Sequence, residues 1–148
     1  MRAALLITLC LAVSCESPPP DDTRLPTVPV TLPNGKTIRA ELATSPADQQ
    51  RGLMFRPRLA ADRGMLFVFT QPAARPFWMF QTLIPLDILW LDSNRTIVFI
   101  SANTPPCPPE KGESCPNYGG AQPAQYVLEL AAGAAAANGL KVGDVLQF

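Results

Sequence analysis

Large apolar residues crowd most densely into residues 77–91, FWMFQTLIPLDILWL, which hold both tryptophans, Trp78 and Trp90. The pattern reads as the central hairpin of a small domain, with Pro85 marking a bend between strands at 77–80 and 86–91. Other apolar runs flank it. Residues 28–32 and 37–43 enclose Pro33-Asn34-Gly35-Lys36, and Asn-Gly between two strand-like runs is a hairpin signal. Within 37–43, Ile38, Ala40 and Leu42 alternate with Thr37, Arg39 and Glu41, as in a half-buried strand. Ser45 and Pro46 followed by Asp48 start a short helix that ends near Gly52. Met65–Phe69, MLFVF, reads as a strand covered on both faces, and 71–76 as a loop. Strands are expected at 96–102 and 125–130, a proline- and glycine-rich loop over 103–123, a helix over 131–138 and a last strand within 140–148.

About eight short strands and two short helices result. The expected fold is mainly β: a small, partly closed antiparallel β-barrel with helical connections, because closure removes exposed strand edges. A two-layer α+β sandwich is the alternative.

The first residues follow a different pattern. Arg2 is followed by an apolar run from Ala3 to Val13, the layout of a secretory signal over residues 1–14. The run is too short to span a bilayer, which needs ~20 residues. Ala12-Val13-Ser14-Cys15 resembles the bacterial lipobox, with Cys15 the acylated residue. Leu9 before Cys10 makes that cysteine a poorer match. Residues 15–29 then form a lipidated, proline-rich tether, extended at ~3.1 Å per residue, and 30–148 form one globular domain. The protein is thus expected to be exported and held on the membrane through Cys15.

Composition narrows the chemistry. The 148 residues carry 12 basic and 12 acidic side chains and no histidine. That balance gives no sign of a clustered basic surface, the footprint of nucleic-acid binding. Ser-His-Asp and Cys-His catalysis and histidine metal ligation are excluded. Cys107 and Cys115 in an exported domain are expected to form a structural disulfide. A redox pair or a metal site are the alternatives, but the spacing is not Cys-x-x-Cys and other thiol or imidazole ligands are lacking. No metal or cofactor is expected.

Asp87 and Glu129 are the candidate chemical carboxylates. Each lies among apolar residues, where a carboxylate must be paired, hydrogen-bonded or functional. On one face they could serve as an acid/base pair. The structural alternative has Asp87 accepting from Thr82 or nearby backbone, and Glu129 pairing with Arg51 or another arginine, or facing water. Trp78 and Met79, with Asp87 and Arg51, are the candidate ligand-binding residues, since aromatic and methionine surfaces suit ligands. Met54 reads as core.

Several motifs stand in order: Gln50-Arg51-Gly52-Leu53-Met54-Phe55, Gly64-Met65-Leu66-Phe67-Val68-Phe69, Phe77-Trp78-Met79 and Thr82-Leu83-Ile84-Pro85-Leu86-Asp87-Ile88. Pro105-Pro106-Cys107, Cys115-Pro116-Asn117-Tyr118, Tyr126-Val127-Leu128-Glu129 and Gly139-Leu140-Lys141-Val142-Gly143-Asp144 follow. Together they resemble the family called domain of unknown function 192, over roughly residues 30–148. The resemblance implies a compact β-rich domain, often exported, and no established reaction or cofactor. Where that family usually has Lys-Asn after Trp-Met, this chain has Phe80-Gln81. Two expectations follow. One is a non-enzymatic envelope lipoprotein that binds a small ligand or partner; the other is an enzyme using Asp87 and Glu129 on an envelope polysaccharide or other envelope substrate.

Overall fold

The computed structural model describes residues 25–112 and 114–148. The expected signal segment, Cys15 and the tether up to residue 24 lie outside the described residues. Among the described residues, six strands form one mixed sheet: β1 (Thr27–Thr31), β2 (Thr37–Ala43), β3 (Arg63–Trp78), β4 (Leu86–Leu91), β5 (Ile97–Thr104) and β6 (Asn117–Ala131). Two short helices, α1 (Pro46–Arg51) and α2 (Ala134–Ala137), complete it. The order across the sheet is β1-β2-β3-β6-β4-β5. All neighbours are antiparallel except β2 and β3, which run parallel.

Local signals hold where the interactions are local. β1 and β2 pair across the Asn34-Gly35 turn, with Gly35 in the left-handed region. Ser45 caps α1 by accepting from the Asp48 N–H, Pro46 sits in its first turn, and Gly52 ends it. β1 begins at Thr27, so the domain takes in the last residues assigned to the tether.

The long strands differ from expectation. Residues 71–76, read as a loop, belong to the 16-residue β3, and the second half of the expected 103–123 loop belongs to the 15-residue β6. Six strands therefore replace eight. The prolines are accommodated because β3 and β6 lose register between Val68 and Ala73 and again between Ala74 and Pro76. Residues 77–91 are not a hairpin: Phe77 and Trp78 pair with Tyr118 and Asn117, and β6 lies between β3 and β4.

The outer halves of β3 and β6 pair with each other and fold back over one face of the sheet. There the Trp90 indole N–H donates to the Arg75 carbonyl at 2.6 Å, and Phe77 meets both Phe67 and Trp90 edge-on. This face carries a core of Leu53, Met65, Phe67, Met79, Ile88, Trp90 and Val127. The opposite face carries a second core of Val30, Ile38, Leu66, Leu89, Leu128 and Leu130, covered by α2 and by Leu140 and Leu146. The sheet does not close by a continuous strand. Instead, the final segment bridges both edges, Gln147 to Thr31 and Val145 to Thr96, in place of the expected last strand.

Candidate functional site

One rung of the sheet places Glu41, Met65, Glu129, Ile88 and Ser101 side by side across β2, β3, β6, β4 and β5. Paired residues in a rung point to one face, here the face of Phe67 and Trp90. Both glutamates are buried, Glu129 at 5% exposure. Arg56 reaches Glu41 with two parallel hydrogen bonds, Nη1 to Oε1 at 2.6 Å and Nη2 to Oε2 at 2.7 Å. Such forked pairs hold geometry well.

Glu129 has no such arrangement. Its Oε2 is buried and has no hydrogen-bond partner among the described residues. The turn after α1 roofs it: a Cβ on Gly52 would lie 3.3 Å from the Phe67 ring and 3.9 Å from Glu129 Oε2. Burial raises the Glu129 carboxyl from 4.5 to about 8, and the Arg56 guanidinium offsets only part of that. Near neutral pH the group is therefore mostly a neutral acid, able to give a proton or a hydrogen bond. Glu129 does not face water, because β6 is an interior strand with a core on each side.

Asp87 is fully buried on the other face. It pairs in register with Leu130, whereas Ile88 pairs with Glu129. One carboxylate oxygen accepts from the Asn103 N–H and the other from the Ala135 N–H, each at 2.7 Å. The expected donor, Thr82, instead directs its hydroxyl at the Phe80 carbonyl, 3.5 Å away. Asp87 thus clamps α2 and the end of β5 to β4. With their side chains on opposite faces, Asp87 and Glu129 do not form a two-carboxylate centre.

The ligand-binding candidates separate likewise. Met79 is buried core. Trp78 is half-buried and lines a groove of about 310 Å³ with Gln49, Gln50, Phe69, Arg75, Pro76 and Phe77. Arg75 stacks on Phe69, 4.0 Å from ring centre to guanidinium carbon. The Gln49 amide donates to the Ala43 and Val68 carbonyls and so fixes α1 over the groove. Arg51 is exposed at the end of α1 and does not line the groove; nor does Asp87. Cys107 and Cys115 form a disulfide. No group of three metal-ligating side chains is found among the described residues.

Sequence reasoning missed the Glu41–Arg56 pair. Glu41 sits at a polar position of an alternating strand, which signals solvent. Only the parallel neighbour β3 makes β2 an interior strand. Arg56, within a link rich in arginine, gave no separate signal.

A family model of domain of unknown function 192, described as "Uncharacterized ACR", matches residues 29–148. The chain belongs to this family. A solved structure of a protein of unknown function from Novosphingobium aromaticivorans DSM 12444 is 34% identical, with a TM-score of 0.78, covering 95% of this chain and 99% of that one. A second, from Sinorhizobium meliloti 1021 and described as a proposed transcription regulator, is 35% identical, with a TM-score of 0.71, covering 82% of this chain and 91% of that one. No curated protein compared with the chain matches it.

Proposed function

We propose that this domain of unknown function 192 protein is a non-enzymatic binding module, held at the cell envelope by acyl chains on Cys15, that takes a small ligand in the Trp78 groove. The groove carries the reading. It combines three aromatic side chains with two glutamine amides and a guanidinium, and α1 is tied down beside it. Concave sites with an apolar floor and a few fixed polar groups are where small ligands bind. The matching ligand is compact, with one flat apolar face for Trp78 and Phe77, oxygens for the Gln50 amide and Arg75, and a donor for the Gln49 amide oxygen, whose N–H groups are taken by Ala43 and Val68. The competing reading, a paired-carboxylate enzyme, needs Asp87 and Glu129 within one cleft, and their opposed faces weigh against it. A nucleic-acid role gains no support from a chain of 12 basic and 12 acidic residues.

The test is to purify the full acylated chain from its own membranes in mild detergent, as wild type and as Trp78→Ala, and to compare co-purifying small molecules by mass spectrometry. A species enriched on the wild type and lost from Trp78→Ala is expected. Identical profiles from two equally folded proteins would remove the groove from consideration.

A further inference from the structure

Two loops on the face of the Trp90 core end in bare apolar side chains. Phe55 is 58% exposed and Leu83 57% exposed. The loops are joined: the Phe55 N–H donates to the Gln81 carbonyl at 2.9 Å. Both residues at this junction have left-handed backbones without being glycine, Phe55 at φ 64° and Gln81 at φ 54°. For a bulky side chain that conformation is strained and persists only where its surroundings enforce it. Phe55 is thus unfavourable twice, in its backbone and in the hydrocarbon it shows to water. An asparagine there would relieve both.

The loops are rooted in the domain. Leu53 just before Phe55, and Met79 and Ile84 on either side of Gln81, pack into the Trp90 core. Leu25, where the described chain begins, packs against the same core. Thr27, two residues on, pairs with Glu41, the partner of Arg56, so the described chain begins beside the loop that carries Phe55. Residues 15–25 reach at most ~30 Å even when fully extended as a polyproline helix. The first loop also shows two arginines, Arg51 and Arg58, at the surface, while its Arg56 is held by Glu41.

We infer that the loops carrying Phe55 and Leu83 form an apolar tip that seats in the surface of the bilayer on which the chain is tethered. This rests on the anchored reading above. Exposed apolar residues beside arginines match the interface of an anionic membrane, where apolar side chains enter the boundary of headgroups and acyl chains and the cations stay with the phosphates. The tether supplies proximity and the tip sets orientation. A protein partner would instead call for a broader complementary surface, whereas two adjoining loop tips suit a penetrable medium.

The test uses the full chain carrying an environment-sensitive NBD fluorophore on Leu83→Cys or, as the distant control, on exposed Val142→Cys. Vesicles of phosphatidylethanolamine and phosphatidylglycerol are added. The expected result is a rise of about twofold or more in emission with a blue shift at position 83, consistent with entry ~5–10 Å into the interface, and no change at 142. Adding Phe55→Asn should abolish the rise at 83 while leaving the fold intact or raising its Tm. Equal responses at 83 and 142, or a response at 83 that survives Phe55→Asn, would overturn the tip. Acyl mass on the Cys15 peptide is measured on the same sample. Its absence would sink the anchor without deciding the tip, which the contrast between positions 83 and 142 decides by itself.

Discussion

Asp87 and Glu129 stand one step apart on adjoining strands and point away from each other. Asp87 lies opposite Leu130, beneath α2; Glu129 lies opposite Ile88, beneath the turn at Gly52. The two carboxyls are thus divided by the thickness of a sheet, and their environments differ in kind. One has a backbone donor on each oxygen, while the other has an oxygen with none.

The full occupancy of Asp87 predicts a graded stability loss. Asp87→Ala strands the buried Ala135 N–H and frees the Asn103 N–H at the surface end of β5, at a cost of roughly 2–4 kcal/mol. Asp87→Asn keeps one acceptor but turns its NH₂ towards the second donor, so it should lose roughly 1–3 kcal/mol rather than be spared. Thr82→Val should change little by comparison, since its hydroxyl does not serve Asp87. Urea denaturation of the three variants checks the order. An Asp87→Asn protein as stable as wild type would contradict the two-donor clamp.

Glu129 predicts a pH dependence of unusual sign for a carboxyl. Its folded value lies above its ordinary one, so between 4.5 and about 8 the folded protein holds a proton that the unfolded chain releases. Stability from this group is complete below about pH 4.5 and falls as pH rises through about 8, by ~1.4 kcal/mol per pH unit at most. Glu129→Gln should flatten the profile and be the more stable protein near pH 8. Parallel wild-type and variant curves from about pH 5 to about pH 8 would count against a neutral buried acid.

Gly119 should tolerate no side chain. It has φ 66°, and a Cβ there would lie 2.3 Å from the nearest Trp90 ring atom. Gly119→Ala should lower stability by roughly 2–4 kcal/mol, combining overpacking with left-handed strain, and should disturb the Trp90 indole bond to Arg75. Near-ultraviolet circular dichroism and thermal melting report both. Gly35→Ala, whose added Cβ meets nothing, is the control for strain alone.

Gln81→Asn should stabilise. Asparagine tolerates left-handed backbone better than glutamine, and relief at φ 54° is worth roughly 0.5–1 kcal/mol. A melt of Gln81→Asn at or below wild type would mean that the glutamine side chain is needed for more than conformation.

What could be read from the chain beforehand divides by distance along it. The Asn34-Gly35 turn, the Ser45 cap and the Gly52 stop act within a few residues, and all three formed as expected. The disulfide was legible too, because two cysteines in a small proline-rich loop have little else to do. The long strands were not. Pro72, Pro76 and Pro123 read as breaks, but they occupy the stretch where the β3–β6 register shifts, and Gly119 sits where Trp90 presses on the backbone. Asp87 was recognisable as buried and satisfied, yet its donors lie 16 and 48 residues away, beyond any local rule. Glu41 looked solvated because alternation says nothing about a parallel neighbour arriving on its far side. The groove at Trp78 was legible only as an aromatic position, since its other wall is α1, and only the folded sheet brings the two together.

The placement of β6 bears on how such a chain folds. It is the last strand in sequence, yet it lies in the middle of the sheet, between β3 and β4. Until Asn117–Ala131 arrives, the two halves of the sheet share no ladder. The β1-β2-β3 unit and the β4-β5 hairpin each expose an edge that the missing strand will cover. Contacts of long sequence separation slow folding, and open edges in the interval invite wrong pairing. The rate-limiting event should therefore be insertion of the final strand between two preformed pieces, and a nascent chain stalled before residue 117 should be the species that chaperones hold.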